Sequence, residues 1–368
     1  RQFIQLDNIL RSFETTSKPN KKVTTFQLLS DPSSTNSKAN ELNQKVAPLV
    51  EWCKTMNQML TEDVKHIRAI ELSAISSQLA QKTHFILAVP GTYMPNKPII
   101  HIEYFIGQFS VYLSKQQPKD IVIVGDNGIF YQYLLKGHED LRLDERIMQF
   151  FSTINSILKK SNNFRGQLID AMFVMPISIS HGLVQWVNGT YTLRAIVESY
   201  RNSQGREPLE EYVKLDQLAY LNFDFLQPIQ KLQIIEKIFD EVPDTDISNI
   251  FWMKAKSSEE WLKRTINFTV STAMMSITGY TIGLGDRHPS NILVDRFSGK
   301  MIHIDFGDCF ERAAKREFLP EVVPFRLTRM IVKAMGITGT NGLFKHSFIN
   351  MSNILRENKK VLVMVLAI

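Results

Sequence analysis

The stretch Gly285-Asp-Arg-His-Pro-Ser-Asn291, followed by His303-Ile-Asp-Phe-Gly-Asp308, decides the fold of this chain and most of its chemistry. Asp286 precedes Asn291 by five positions, and Asp305 lies fourteen positions beyond Asn291. Between them, Asn291-Ile-Leu-Val-Asp295 and Met301-Ile-His-Ile-Asp305 read as a small β-hairpin around a turn at Ser298-Gly299. Such a hairpin folds Asn291 back beside Asp305, so that an amide oxygen and a carboxylate can serve one metal cluster. Phosphoryl transfer needs a carboxylate to orient the attacking hydroxyl and hard oxygen ligands to hold Mg²⁺ on the phosphates. Each residue alone would pass as a loop or surface side chain, and the Asp286-Arg287 pair as a surface ion pair. Their order and spacing carry the reading.

The five-residue spacing from Asp286 to Asn291 is that of the base and metal ligand in the protein-kinase pattern HRDxxxxN. Here the histidine follows the aspartate, which puts His288 within reach of the γ-phosphate to stabilise developing charge. Upstream, Phe109–Leu113, Ile121–Val124 and Ile129–Leu135 read as strands, the last two joined by the Asn-Gly turn Gly125-Asp-Asn-Gly128. Lys136 ends the third strand, where a kinase has the lysine that contacts the α- and β-phosphates. Its carboxylate partner is Asp144, read as about two turns into the following helix, or alternatively Glu139. That helix presents Ile147, Phe150, Phe151, Ile154 and Leu158 on one face. Ser114-Lys-Gln-Gln-Pro-Lys119 joins two strands where a phosphate-covering loop belongs. It lacks glycine and matches neither Walker A nor GxGxxG, which leaves the Ser114 hydroxyl and backbone N–H groups for phosphate.

A strand at Met172–Met175 precedes the apolar segment Gly182-Leu-Val-Gln-Trp-Val187, read as lying between two lobes. Trp186 and Val187 there suit the flat slot an adenine ring needs. Beyond Trp186 the pattern is mostly helical, with one long amphipathic run from about Trp261 to Tyr280. Near the start, residues 14–42 are rich in Ser, Thr, Asn and Lys and read as flexible. Helices are expected over Val46–Leu60 and Glu62–Leu79. The fold class is therefore α+β, a bilobal kinase-like architecture with a β-rich first lobe and a helical second one. Its divisions are a partly flexible segment over 1–70, a first lobe over 71–184 and a second over 185–368.

Of the 368 residues, 44% are hydrophobic and 22% charged, enough for a sizeable core. Two cysteines without CxxC spacing argue against a disulfide framework or zinc site and for a reducing, cytoplasmic setting. The net charge of +6 suits phosphate-bearing partners, but no aromatic-basic motif supports nucleic-acid binding. No apolar run reaches the length of a membrane span. Arg1 in place of a start methionine, and an uncapped apolar stretch from Val361 to Ile368, read as a piece of a longer chain.

These motifs resemble the phosphatidylinositol-3-kinase-related protein kinases, and within them most closely the target-of-rapamycin branch. The resemblance rests on Leu87-Ala-Val-Pro-Gly-Thr-Tyr93, Leu135-Lys-Gly-His-Glu-Asp-Leu-Arg-Leu-Asp-Glu145, Gly283–Asn291, His303–Glu311 and Val323-Pro-Phe-Arg-Leu-Thr-Arg329. Gln185-Trp-Val-Asn-Gly189 is more similar to the nonsense-mediated-decay kinase of the same family. The resemblance implies Ser/Thr phosphorylation of protein substrates in nutrient and growth signalling, with ATP and Mg²⁺ (or Mn²⁺) as cofactors. It implies catalytic roles for Asp286, His288, Lys136 and Asp144, and metal ligation by Asn291 and Asp305. Nucleotide contacts fall to Ser114, Lys136, Glu139, Val184, Trp186, Val187, Thr192, Leu293 and Ile304. Scaffold subunits of a large complex, with endomembrane or nuclear association, are implied partners. The span from Glu51 to Leu87 is too short for the last helix of a rapamycin-binding bundle, so immunophilin–rapamycin binding is not expected. The family's C-terminal tail would lie beyond Ile368. Met172 stands near the adenine slot where the family often has an aromatic. A phosphoinositide lipid kinase and an inactive kinase-fold scaffold are the alternatives. Against the first, Arg312, Lys315 and Arg316 are offset by Glu311, Glu317 and Glu321 in the presumed activation loop. Against the second, every metal ligand and the lysine are present.

Overall fold

The computed structural model describes residues 51–56, 66–114, 116–161, 164, 166–218, 223–310, 315 and 322–367. Strands and helices begin with β1 (Ala69–Glu71), α1 (Leu72–Ile75), α2 (Ser77–Gln81), β2 (Ile102–Phe105), β3 (Gln108–Val111), β4 (Lys119–Gly125) and β5 (Phe130–Gly137). Then come α3 (Arg142–Leu158), β6 (Val174–Pro176), β7 (His181–Gln185), β8 (Thr190–Thr192), α4 (Leu193–Ser203) and α5 (Glu210–Leu218). The rest is α6 (Pro228–Glu241), α7 (Asp246–Lys254), α8 (Ser258–Thr281), β9 (Ile292–Asp295), β10 (Met301–His303), α9 (Arg329–Ala334), α10 (Leu343–Glu357) and α11 (Lys359–Ala367).

Two compact units result, the first holding the described residues up to Gln81 plus Ile106–Asp120. In it β1 pairs antiparallel with β3, and β3 with the first residues of β4. A single helix over Glu62–Leu79 is not what forms. Ala69, Ile70 and Glu71 lie opposite Ser110, Phe109 and Gln108 as a strand, and two short helices follow. The competing partner is about forty residues away in sequence, which apolar spacing within the segment does not register. Of the expected helix over Val46–Leu60, residues 51–56 are helical and the others lie outside the described residues.

The second unit, Lys82–Phe105 with Ile121 onward, carries the kinase motifs. β2 pairs antiparallel with β4, which turns into β5 through the Asn-Gly turn. There Gly128, at φ 75°, donates its N–H to the Gly125 carbonyl at 2.9 Å, a left-handed position that suits glycine. Of the apolar segment Gly182–Val187, the residues up to Gln185 belong to β7, which pairs with both β5 and β6 and sets Gly182 opposite Lys136. A Cβ on Gly182 would come within 2.8 Å of Leu141 Cδ1 and of the Met175 carbonyl, so this close approach admits only glycine. β6 starts at Val174 and runs to Pro176, shifted slightly from the expected Met172–Met175. Strands β8, β9 and β10 form a second antiparallel sheet.

On α3 the expected face, Ile147, Phe150, Phe151, Ile154 and Leu158, is buried. Asp140 Oδ1 accepts the N–H of Arg142 at 3.1 Å and so starts the helix two residues before Asp144. Asp144 therefore lies in the first turn, not two turns in. α8 is buried along most of its length, and its hydroxyls solve the polar problem internally. Thr269, Ser271, Thr272 and Thr278 each donate to the carbonyl four residues earlier at 2.6–2.7 Å. A core cluster joins α3, α8 and α10 to Phe306, whose ring meets Phe151 edge-on at 5.3 Å. Among the described residues no helix is long and apolar enough to cross a membrane.

Candidate active site

The 285–308 segment is tied to itself through its backbone. Ile304 donates its N–H to the Asn291 carbonyl at 3.1 Å, which closes the hairpin as its alternation predicts. Gly285 N–H reaches the Asp308 carbonyl at 2.8 Å, so the segment before Asp286 lies against the one after Asp305. Asn291 donates its side-chain N–H to the Asp286 carbonyl at 3.0 Å, leaving its amide oxygen as the atom able to take a cation. Asp286 and Asp305 sit at φ 56° and 62°, in the left-handed region that non-glycine residues seldom occupy. Such strain persists only where surrounding contacts impose it, and it clusters at functional sites. His288 Nδ1 accepts the N–H of Ser290 at 3.2 Å. In the neutral ring the proton then lies on Nε2, which is 4.0 Å from Asp286 Oδ2.

Behind the metal-side residues the site is dry. Phe306 is 1% exposed, and its N–H donates to Asp144 Oδ1 at 3.1 Å. Asp144 Oδ2 is buried without a hydrogen bond. Burial pushes the Asp144 carboxyl up to about 6; the Phe306 N–H and Lys136 pull it down, while Asp305 and Glu139 add to the rise. His303, on β10, has Nδ1 enclosed without a partner. Burial, reinforced by Arg287, pushes its imidazole down to about 3.

The lysine corner is built differently. Lys136 Nζ lies 3.3 Å from the Glu139 carboxylate. His138, at φ 60°, reverses the chain between them, and Glu139 N–H donates to the Ser180 carbonyl at 3.3 Å. Of the two carboxylates considered for Lys136, Glu139 makes the direct contact, whereas Asp144 is held by Phe306. Burial alone would pull the lysine down; Asp305 first, then Glu139 and Asp144, outweigh it and hold the ammonium above its ordinary value.

Among the residues expected to line the nucleotide slot, Val184, Val187 and Ile304 pack against the core cluster that contains Met172. Leu293 is buried and lies between Thr192 and Ile302 in the second sheet. The Thr192 hydroxyl is engaged as the N-cap of α4, accepting the Ala195 N–H at 3.1 Å. Trp186 is half-buried, and its backbone N–H donates to the Gln132 carbonyl at 2.9 Å. Ser114 belongs to the first unit, where it is exposed and its carbonyl accepts the Gln117 N–H at 3.1 Å. Of the charged residues weighed in the activation loop, all but Lys315 lie outside the described residues.

Residues 130–368, which hold every one of these groups except Ser114, match the family described as phosphatidylinositol 3- and 4-kinase. The chain belongs to that family. Within it the chain is of the phosphatidylinositol-3-kinase-related, target-of-rapamycin-like type. It is 41% identical over 302 residues to the serine/threonine-protein kinase TOR of Oryza sativa subsp. japonica, covering 82% of this chain and 12% of the relative. With the target of rapamycin homolog of Caenorhabditis elegans it shares 41% over 317 residues, 86% of this chain and 12% of that one. The chain thus spans about an eighth of the length of the curated relatives it matches. A solved structure, the FAT and kinase domain of CtTel1, aligns with 27% identity and a TM-score of 0.65 over 80% of this chain and 21% of that chain.

Members of this kinase family use ATP and a divalent metal, and the donor set here fits the metal. Asn291 and Asp305 offer oxygen only, which suits Mg²⁺, an ion that takes few protein ligands and completes its shell with water and phosphate. Among the described residues no group of three or more His, Cys, Asp or Glu is placed to hold a metal. One member of the kinase motif escaped the sequence reading. Arg287 is buried, not a surface ion-pair partner, and donates to main-chain carbonyls. Main-chain acceptors have no letter in a sequence, so only the cationic residue between two functional ones was there to notice.

Proposed function

We propose that the chain is the catalytic domain of a target-of-rapamycin-like serine/threonine protein kinase, transferring the γ-phosphate of ATP to protein substrates in nutrient and growth signalling. The observation that carries this is the backbone tie that brings Asp286, Asn291 and Asp305 into one strained, buried-floored site. Asp286 orients the substrate hydroxyl and takes its proton. Asn291 Oδ1 and the Asp305 carboxylate would hold Mg²⁺, which would neutralise charge on the phosphates. Lys136, fixed by Glu139, holds the α- and β-phosphates. His288 Nε2–H stabilises charge developing on the transferred phosphoryl group. Asp144 fixes Phe306 and thereby the Asp305 backbone. Val184, Trp186, Val187, Thr192, Leu293 and Ile304 shape the adenine slot. In the whole protein this domain works in the cytoplasm, with endomembrane or nuclear association, inside a complex with scaffold subunits.

The test is transfer of labelled γ-phosphate by the full-length protein, with Mg²⁺, to a Ser/Thr peptide library and to phosphatidylinositol vesicles side by side. Label on the peptides is the expected result. Label on lipid alone would replace the substrate class while leaving the transfer chemistry in place.

A further inference from the structure

Arg287 stands between Asp286 and His288, yet its side chain is only 8% exposed. Nε donates to the Gly285 carbonyl at 2.7 Å. One terminal nitrogen donates to the Ile304 carbonyl at 2.9 Å and, at a longer 3.4 Å, to the Asn291 carbonyl. The other donates to the Asp305 carbonyl. The guanidinium also lies over the Phe306 ring, 5.8 Å from its centroid. All four acceptors are main-chain oxygens. Two belong to the segment that carries Asp286 and Asn291, and two to the strand end that carries Asp305.

We propose that Arg287 is a positioning residue that locks the metal ligand Asp305 to the segment bearing the base and the second metal ligand. The proposal deepens the phosphoryl-transfer reading and rests on it. Asp286 and Asp305 both hold positive φ, so each needs an external restraint on its backbone. Arg287 supplies one directly at Asp305 and one at Gly285, the residue before Asp286. The Gly285–Asp308 and Ile304–Asn291 bonds tie the same two segments but leave the Asp305 carbonyl untouched. A guanidinium can span this set because it presents five donors in a rigid plane. A lysine ammonium is a single point with three donors and cannot reach both segments at once. Unlike a residue that only fills the core, Arg287 acts through the geometry of the metal ligands, so its loss registers first as metal dependence.

The experiment uses the full-length protein with Arg287→Lys and Arg287→Gln, checked by thermal melting for folding. It measures affinity for a fluorescent, non-hydrolysable ATP analogue without metal and across a Mg²⁺ titration, and separately kcat for peptide. In the Lys variant, metal-free affinity is expected to stay within about threefold of wild type while the Mg²⁺ concentration for half-maximal enhancement rises about tenfold or more. kcat is expected to fall about 100-fold, and the Gln variant to shift in the same direction. Phe306→Leu, which removes the ring under the guanidinium while keeping apolar volume, is the reserve variant should both fail to fold. It is expected to raise the Mg²⁺ requirement about threefold. An unchanged Mg²⁺ requirement in a folded variant, or metal-free affinity lost in step with kcat, overturns the proposal. The analogue readout needs no transfer: wild type without Mg²⁺-dependent nucleotide binding would sink the phosphotransfer reading itself, whereas normal wild-type binding with indifferent variants sinks only the role of Arg287.

Discussion

The two sides of the active site are held in different ways. On the metal side, Asp286, Asn291 and Asp305 are fixed by backbone hydrogen bonds, the guanidinium of Arg287 and the buried ring of Phe306. On the lysine side, Lys136 is held by a 3.3 Å ion pair with Glu139, on a turn where His138 is exposed and at positive φ. The metal side is preorganised by contacts that side-chain exchange cannot easily replace. The lysine corner depends on a pair of long side chains and can be tuned. Charge placement during transfer relies on fixed ligands, so the proposed mechanism puts the chemistry on the rigid side and the setting of nucleotide affinity on the tunable one.

That contrast can be broken first at Asp305. Asp305→Ala removes a proposed metal ligand from the rigid side and is expected to lower kcat about 10³-fold, with metal-free binding of an ATP analogue retained. Steady-state kinetics beside analogue titration separates the two. Next in size is the floor. Phe306→Ala empties a fully buried ring position and should destabilise the fold by about 3–5 kcal/mol, read from denaturant midpoints at constant slope.

The pH dependence of Asp144 sharpens the comparison further. Its carboxyl is pushed from 3.8 up to about 6, mainly by burial. A raised acid contributes stability that is fully present below pH 3.8 and is lost as pH rises through about 6. Asp144→Asn keeps an oxygen for the Phe306 N–H and abolishes that loss. The stability of the variant relative to wild type should therefore climb between about pH 4 and 6 and level off above, by up to about 3 kcal/mol. Urea unfolding at several pH values measures it, and a difference that does not vary with pH would place Asp144 in a solvated setting. The smallest effect is expected at the tunable corner. Glu139→Gln leaves Lys136 without its contacting charge and should raise the ATP KM about tenfold with kcat within about threefold, whereas Asp144→Asn should affect kcat more than KM.

How much of this was legible in the residues follows the same division. Asp286, Asn291 and Asp305 could be placed together from spacing because a two-stranded hairpin with a Ser-Gly turn has little choice of register. The buried face of α3 was legible from its period. What the residues did not disclose depends on partners far away in sequence. Ala69–Glu71 is a strand only because β3 accepts it. Gly182–Gln185 is a strand because β5 and β6 flank it. The choice of Glu139 for the Lys136 contact turned on a positive φ at His138, a conformation that few non-glycine residues adopt. Arg287 was visible but received no role, since its acceptors are main-chain carbonyls.

In the proposed mechanism the metal side performs the transfer with Asp286 as its base. The most direct test is single-turnover transfer to peptide by full-length Asp286→Asn at saturating ATP and Mg²⁺. Nucleotide and Mg²⁺ binding are expected to stay at wild-type levels while the transfer rate falls about 10³-fold. A variant that binds normally and transfers at the wild-type rate would contradict it.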